Sequence, residues 1–538
     1  MENDRLGIIL VKNKVITEKQ LDFCLAVRNV DTRRLGDILR EYGFATDEDI
    51  AKALAGKIGW NYFDGQYVPD KDTVSKLGLD FFIKKSVYPL KCDDGRYCFV
   101  LANTEDTEAT DEILRKGYRN VDFFVGAEGV LRNALEELSQ ALKRGEGLQK
   151  EEVTSDNIKE WAEALLQRAV AQGATDIHVE PAGAVSEIRF RIDGVLHFIA
   201  CLPIDLHKHL VNIYCTKGGV DTSGLMRFQD ARFSFEQLGR SIDIRLSSLP
   251  STHGPALVLR LLDQKKAIIP LAKLGFAREH VAKIEQMSRV PYGIILVAGP
   301  TGSGKTTTLY ATLNSIKNIS TKIITIEDPV EIQLNLVTQV QVNDKQDVFF
   351  GKATRAFLRH DPDVILIGEI RDEETAREAF RASVTGHKVF STIHTNTPLE
   401  ALLRLFDLGV EAKYIASTLV GVIGQRLVRK LCPYCRKEVK KKIDVLGELE
   451  KKYVTQKEQT VWEAAGCKNC IEGFWGRTVV AEVLYVNAEL KKIIDSGDFV
   501  KMREYLEGKK DYISLVKDAA RLVAQGVTSL EEAVRVLG

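Results

Sequence analysis

Hydrophobic positions along the chain do not keep one period, and each change of period marks a different kind of element. The N-terminal stretch repeats itself: RLGIILVKNKVITEKQLDFCLA is followed by RLGDILREYGFATDEDIAKALA, with Arg5 matching Arg34, Thr17 matching Thr46 and Leu25 matching Leu54. Thr17 followed by Gln20 has the form of a capping box, which predicts a short amphipathic helix at the end of each repeat. From residue 71 short β runs such as YCFVLA precede the helical stretch EGVLRNALEELSQAL, the pattern of a compact α+β unit. The segment KRGEGLQKEEVTSDN, residues 143–157, is polar and almost free of large apolar groups, and it reads as a linker. Beyond it the helical pattern IKEWAEALLQRAVAQG leads into alternating runs, SEIRFRIDGVLHFIA and SIDIRLSSLP. These predict a second domain rich in half-buried strands. Continuous apolar runs then alternate with helical patterns, as in GIILVA, KIITIE, DVILIGE and HKVFSTIH. That succession predicts an α/β domain with a largely parallel sheet.

The expected organisation is therefore a helical repeat module at 1–70, a small α+β domain at 71–142, the linker 143–157 and a β-rich domain at 158–262. A linker at 263–274, a nucleotide domain at 275–430, a cysteine-bearing subdomain at 431–485 and a helical region at 486–538 follow. Composition changes this picture little. The 538 residues suffice for three or four domains at roughly 150 residues each. Lys plus Arg and Asp plus Glu number 75 each, so no global basic field advertises nucleic acid or anionic lipid. No apolar run approaches the ~18 residues of a membrane span, and MENDRLGIILVKNK lacks a signal-peptide core; a cytosolic chain is expected.

Candidate chemistry begins at VAGPTGSGKTTTLY. The pattern G-x-x-x-x-G-K-T is complete from Gly299 through Pro300, Thr301, Gly302, Ser303, Gly304 and Lys305 to Thr306, with Thr307 next, and it follows the strand-like GIILVA. Backbone N–H groups can wrap phosphates where side chains do not intrude, Lys305 adds a cation, and Thr306 offers a hydroxyl to Mg²⁺. ATP and Mg²⁺ are the expected ligands. HDPDVILIGEIRD places Glu369 just past an apolar core, the form of a Walker B strand. ITIEDPVE ends a second strand in Glu327, Asp328 and Glu331, which either gather a cation or polarised water or form a solvated loop.

Nine cysteines are present, and four fall in two C-x-x-C pairs, Cys432/Cys435 and Cys467/Cys470. This is structural zinc spacing: four thiolates in a closed tetrahedral shell suit Zn²⁺. The remaining five, Cys24, Cys92, Cys98, Cys201 and Cys215, lie in apolar or strand contexts and are expected in the core. The first pair is flanked by a basic run from Arg426 to Lys442, readable as a nucleic-acid contact or as a solvated face.

The order of GPTGSGKTT, ITIEDPVE, DPDVILIGEIRD, TGHKVFSTIHTN and IGQRLVRKLCPYC resembles the type II secretion and type IV pilus assembly ATPase family. ATDIHVEP and RFRIDG extend the likeness upstream. The resemblance implies a RecA-like P-loop domain preceded by a PAS-like α+β domain, with the N-terminal region and a tetracysteine zinc subdomain attached. It implies that Glu331 activates the attacking water, that Glu369 holds Mg²⁺ through water, and that His394, with His387, lies near the γ-phosphate. It also implies arginines lent by the second domain, here Arg232 and Arg245, expected to complete the site between subunits. Departures from the family pattern stand at Leu225 and Met226 for paired arginines, Ala231 for a glycine and Pro255 for an acid. The function implied is a homohexameric motor of the assembly type rather than the retraction type. It would be cytoplasmic and peripheral at the inner membrane, extruding pilin-like subunits with a platform protein and a cytoplasmic or bitopic adaptor, and without nucleic acid. The alternative is a nucleic-acid-dependent P-loop motor or zinc-containing nucleic-acid binder. The repeated RLGxxL also resembles a cyclic-di-GMP-binding module of some relatives, with Lys14 for a glycine and Arg28 and Lys57 for glutamines.

Overall fold

The computed structural model describes the chain except residues 1–4, 31–32, 66, 93–95, 103–106, 144–152, 221–226, 238–239, 264–267, 444, 451–456, 510–511 and 538. Leu225 and Met226, residues 264–267 of the 263–274 linker and most of the 143–157 linker lie outside the described residues. Two compact units form: residues 1–157 with 237–239, and residues 158–236 with 240–538.

In the first unit the repeat becomes two helix pairs, Arg5–Lys12 with Glu18–Arg28 and Leu35–Glu41 with Asp47–Ile58. Both second helices open on a complete capping box, Thr17 with Gln20 and Thr46 with Asp49, each satisfying two N-terminal backbone donors. The turns of the two pairs are equivalent: Gly43 has φ +72° and Lys14, at the matching position, φ +59°. The lysine thus holds a left-handed conformation that glycine adopts without a Cβ penalty. Strands β1 (Asn61–Tyr62), β2 (Val87–Leu90), β3 (Tyr97–Leu101) and β4 (Val121–Val125) form a sheet in the order β1-β4-β3-β2. The antiparallel β2–β3 hairpin pairs Leu90 with Cys98. It brings Cys92 back onto Cys98, with which it forms a disulfide. The expectation that these two are separate core thiols is corrected, and Cys201 is exposed while Cys24 and Cys215 are buried as expected.

The second unit opens with the antiparallel strands β5 (Ala174–Ala182), β6 (Val185–Ile192), β7 (Val195–Pro203), β8 (Gln229–Gln237), β9 (Arg240–Ser251) and β10 (Gly254–Asp263), ordered β7-β6-β5-β10-β9-β8. One face carries Ile177, Val179, Ile188, Phe190, Ile244, Leu257 and Leu259, all fully buried. Helices Ile158–Ala171 and Ile204–Lys217 pack together, Tyr214 Oη donating to the Ala162 carbonyl at 2.9 Å. The other face is polar, as the alternating pattern requires.

The central sheet comprises β11 (Gly293–Ala298), β12 (Ile323–Glu327), β13 (Val337–Gln341), β14 (Val364–Ile367), β15 (Lys388–Ile393), β16 (Leu419–Leu431) and, beyond a hairpin of β17 (Lys437–Ile443) and β18 (Lys457–Glu463), β19 (Phe474–Tyr485). Its order is β13-β12-β14-β15-β11-β16-β19. Every pairing is parallel but the last, β16 with β19. Every residue of β11, β12 and β14 is buried, which explains their continuous rather than alternating apolar runs. The range 431–485 therefore contributes β19 to the nucleotide-domain sheet, and the cysteine-bearing hairpin is an excursion between two of its strands.

The C-terminal helix Leu530–Leu537 is tied to β16 by Glu532, whose side chain is wholly buried. Its carboxylate accepts from Arg429 N at 3.0 Å, Arg429 Nη2 at 2.8 Å and Arg535 Nη2 at 2.7 Å. Burial alone would raise this carboxyl, but the hydrogen bonds from Arg535 and Arg429 prevail and hold it at about 2. A folded value this far below the ordinary one corresponds to about 3 kcal/mol of stability, present above the unfolded value and lost as pH falls towards 2. Glu532→Gln is accordingly expected to speed hydrogen exchange in Leu515–Leu537 by at least tenfold while leaving helix Lys305–Ile316 protected. Unchanged exchange in the C-terminal helices would show that the carboxylate does not hold them.

Candidate active site

Strand β11 ends where the glycine-rich loop begins, and the helix Lys305–Ile316 begins where the loop ends. Gly304 caps that helix with φ +86°, a left-handed conformation. At Gly299 a Cβ would stand 2.7 Å from the Gln425 carbonyl oxygen, so backbone approaches backbone too closely for any side chain. Lys305 is buried, and its Nζ donates to the carbonyls of Gly299 at 2.8 Å and Pro300 at 3.0 Å. Burial lowers the affinity of this ammonium for its proton, Arg426 adds to that, and Glu369 opposes it. The Ser303 hydroxyl is buried without a hydrogen-bond partner in the loop. An orphaned donor here fits a phosphate oxygen. Thr306 and Thr307 open the helix, where its N–H groups face the loop.

Glu369 follows β14 and is buried. Both its oxygens are engaged: Oε2 lies 3.2 Å from His394 Nε2, and Oε1 receives the Arg371 guanidinium. The structure thus brings His394 to the Walker B acid. It does not bring His387 there. His387 precedes β15, at the opposite end of the strand that His394 follows, about 23 Å away at a strand's rise per residue. Its Nδ1 bonds the Ala382 carbonyl at 2.9 Å, closing the end of a helix.

The three acids of EDPVE separate into different roles. Glu327 is buried and accepts from Thr325 Oγ1 at 2.6 Å, Gln339 Nε2 at 3.1 Å and the Tyr310 hydroxyl. It is a structural anchor beneath the loop. Asp328 and Glu331 remain water-accessible. Glu331 is nevertheless flanked by protein, and this desolvation, with Glu327, pushes its carboxyl above the usual carboxylate range, while Arg245 and Arg260 pull it back.

Those arginines belong to β9 and β10 of the preceding domain. Arg232, on β8, lies in a cavity wall with them. Burial and Arg232 destabilise the Arg245 cation, with Asp243 and Glu331 opposing. Arg245 and Glu331 thus act on each other electrostatically within one chain. The β6–β7 turn docks this domain on β19: Asp193 accepts from Gly476 N at 2.9 Å and lies 3.5 Å from Arg477 Nε. Pro255, the departure from a family acid, sits five residues from Arg260 along β10, about 16 Å away. Its carbonyl bonds His207 Nε2 at 2.8 Å, remote from the arginines.

The four paired cysteines converge. Sγ separations are 3.9 Å for Cys432–Cys467, 3.7 Å for Cys435–Cys470 and 3.7 Å for Cys467–Cys470, and all four sulfurs lie within 4.8 Å of one another. A tetrahedron with Zn–S of ~2.3 Å has an edge of about 3.8 Å, so the four ligands fit a zinc ion. Part of the neighbouring basic run is engaged by other residues of the chain, while Lys430 and Lys437 are exposed. Arg426 donates to Asn396 Oδ1, Arg429 pairs with Glu532, Arg436 lies over Trp462, and Lys441 pairs with Glu463.

A parallel sheet with a phosphate loop at the carboxyl end of β11, a Walker B acid and an arginine-bearing partner domain defines a P-loop ATPase with a RecA-like core and a PAS-like α+β domain before it. Comparison with known proteins gives the family. Residues 151–535 match the model of the type II/IV secretion system protein family, and residues 62–145 that of the MshEN domain. The type II secretion system protein HxcR of Pseudomonas aeruginosa is 41% identical over 374 residues, covering 69% of this chain and 76% of that protein. The type IV pilus assembly ATPase PilB of Thermus thermophilus is 33% identical over 519 residues, covering 93% of this chain and 58% of that protein. The X-ray structure of the Legionella pneumophila ATPase DotB shares the fold, with a TM-score of 0.54 and 21% identity, over 70% of this chain and 94% of that one. The chain belongs to the type II/IV secretion system ATPase family, and it is an ATP hydrolase.

Sequence reasoning missed Gln425. This side chain is buried on β16, accepts from Thr308 Oγ1 at 2.8 Å and donates to the Ser303 carbonyl at 2.7 Å. A polar residue inside the run LVGVIGQRLV was the available signal. Gln425→Ala leaves both partners unpaired at a cost of ~1–3 kcal/mol. The expected result is about a tenfold rise in KM for ATP with a smaller change in kcat; an unchanged KM would remove Gln425 from the loop's support.

Proposed function

We propose that this chain is the cytoplasmic motor, working as a homohexamer at the inner membrane, that couples ATP hydrolysis to extrusion of pilin-like subunits in type IV pilus assembly or type II secretion. It engages an inner-membrane platform protein and a cytoplasmic or bitopic adaptor. The single observation that carries this reading is the match over residues 151–535 joined to an intact phosphate loop. The identity with a secretion protein and with a pilus assembly ATPase supports both branches. Among the described residues no helix is long and apolar enough to cross a membrane, which agrees with attachment through partners.

In this reading the loop from Gly299 to Thr307 cradles the triphosphate, and Lys305 exchanges its two carbonyl partners for phosphate oxygens. Thr306 and Glu369 would hold Mg²⁺, which would supply charge neutralisation at the phosphates. Glu331 orients the attacking water and accepts its proton, and Arg232 and Arg245 of the same chain stabilise the charge that spreads over the γ-phosphoryl oxygens. His394 holds Glu369 in place. Zn²⁺ held by Cys432, Cys435, Cys467 and Cys470 closes the hairpin excursion and has no part in hydrolysis.

The direct test replaces the chain in its host by Lys305→Ala or Glu369→Gln. Loss of ATP hydrolysis together with loss of surface fibres or of the secreted protein is expected, with the variant protein still present. Export continuing at the parental level would overturn the motor reading, and hydrolysis stimulated by DNA would favour the nucleic-acid alternative. The raised Glu331 carboxyl gives a second test. Its base form is lost as pH falls through a folded value above the ordinary carboxylate range, so the acid limb of kcat/KM lies above that range. Arg245→Ala removes a charge that favours the carboxylate and should move this limb to higher pH as well as lower the rate. A limb in the same place in Arg245→Ala and in Glu331→Gln would exclude Glu331 as the base. Metal analysis after gel filtration should give one zinc per chain, lost with faster exchange in residues 437–463 on Cys432→Ser; a folded hairpin without zinc would remove the metal from the account.

A further inference from the structure

Glu369 follows β14 with one carboxylate oxygen against His394 and the other against the Arg371 guanidinium. Arg371 brings a full positive charge, and its side chain is 62% exposed while that of Glu369 is 10% exposed. The backbone is fixed on both sides of this arginine. Ile370 N donates to the Thr392 carbonyl at 2.9 Å, and Asp372 caps the helix Glu373–Val384. Movement at Arg371 is therefore movement of its side chain alone.

A second acid stands beside the first. Strands β12 and β14 pair Ile326 with Ile367, and Gly368 N continues the ladder to the Ile326 carbonyl at 2.8 Å. That register sets Asp328 and Glu369, each two residues further on, past the ends of adjacent strands, whose spacing is about 4.8 Å. Asp328 is exposed, and among the described residues no ion pair holds it. The hydrogen bond to Glu369 strengthens the Arg371 cation against the opposing effect of burial, and Asp328 strengthens it further. One mobile guanidinium thus has two carboxylates within its field.

We propose that Arg371 is a built-in competitor for the metal ion: it neutralises Glu369 until a divalent cation takes that carboxylate, and then passes to Asp328. The proposal rests on the reading of Glu369 as an acid that holds Mg²⁺. A guanidinium and a divalent ion on one carboxylate repel each other, so the acid changes partner rather than sharing. Through this exchange Glu369, which is largely buried, is never left as an uncompensated charge, a costly state. Asp328 keeps the displaced arginine beside the site, and Arg371 sets the concentration of Mg²⁺ at which the site fills.

The experiment titrates Mg²⁺ into the full chain loaded with ADP and reads the heat of binding. Glu369→Gln should weaken metal binding about tenfold. Arg371→Ala should tighten it about fivefold, the size of an ion pair with one solvated partner, and Arg371→Lys, which keeps the charge, should stay near the parent. Damage to the structure would weaken binding, so a gain in affinity separates the proposal from damage. Asp328→Asn should weaken metal binding about threefold in the parent and have no effect beside Arg371→Ala, since its role is to receive the arginine. An equal loss in both backgrounds would mean that Asp328 acts only through its general field, and it overturns the exchange. Binding unchanged or weakened in Arg371→Ala or, should that variant not fold, in Arg371→Gln overturns the competition; if Glu369→Gln still weakens binding, the reading of Glu369 stands without it. Metal binding at the parental level in Glu369→Gln sinks that reading and the proposal with it.

Discussion

The two hydrogen bonds of Gln425 join the nucleotide loop to strand β16, and most of the second unit is arranged along that strand. It pairs in parallel with β11, whose end is the phosphate loop, and antiparallel with β19, onto which the arginine domain docks through Asp193. Its next residues reach Asn396 through Arg426 and Glu532 through Arg429, and it ends one residue before Cys432. A single extended segment therefore connects the loop that binds phosphate, the C-terminal helix and the cysteine cluster. Because a buried amide left half-paired costs more than its hydrogen bond gains, Gln425 makes the loop and the strand move together.

The second constraint is electrostatic. The arginine domain keeps three like charges on adjacent strands, and the P-loop domain presents Glu331 to them. Neither surface is favourable alone: the guanidiniums repel, and protein around Glu331 disfavours its charge. Each partly offsets the other, and a triphosphate with a divalent cation offsets both more fully. In the proposed mechanism hydrolysis then depends on the approach of two domains, which is how a chemical step can be tied to movement in a motor.

Much of this was legible in the sequence where the chemistry demands residue types at fixed spacing. The phosphate loop, Glu369 after its apolar run and the two cysteine pairs are local patterns, and the structure places each pattern on the element expected. What escaped is set by pairing between distant segments. Arg260 reads as a lone polar residue in VLRLL until the register sets it opposite Arg245 and Asp176. His387 and His394 share a motif, but a six-residue strand carries them to opposite ends of the sheet. Cys92 and Cys98 share a hairpin whose register the sequence does not display. Glu327 and Glu331 sit in one acidic cluster, yet the strand end buries the first among hydrogen-bond donors and leaves the second to face the arginines.

The most direct test of this account is a structure of the assembled protein with Mg²⁺ and a non-hydrolysable ATP analogue. The account requires the terminal phosphate on one chain's P-loop to be met by Arg232 and Arg245 of that same chain, with Glu331 positioned beside the attacking water. Arginines supplied to that phosphate by a neighbouring chain alone, or an arginine cavity turned away from the nucleotide, would contradict it.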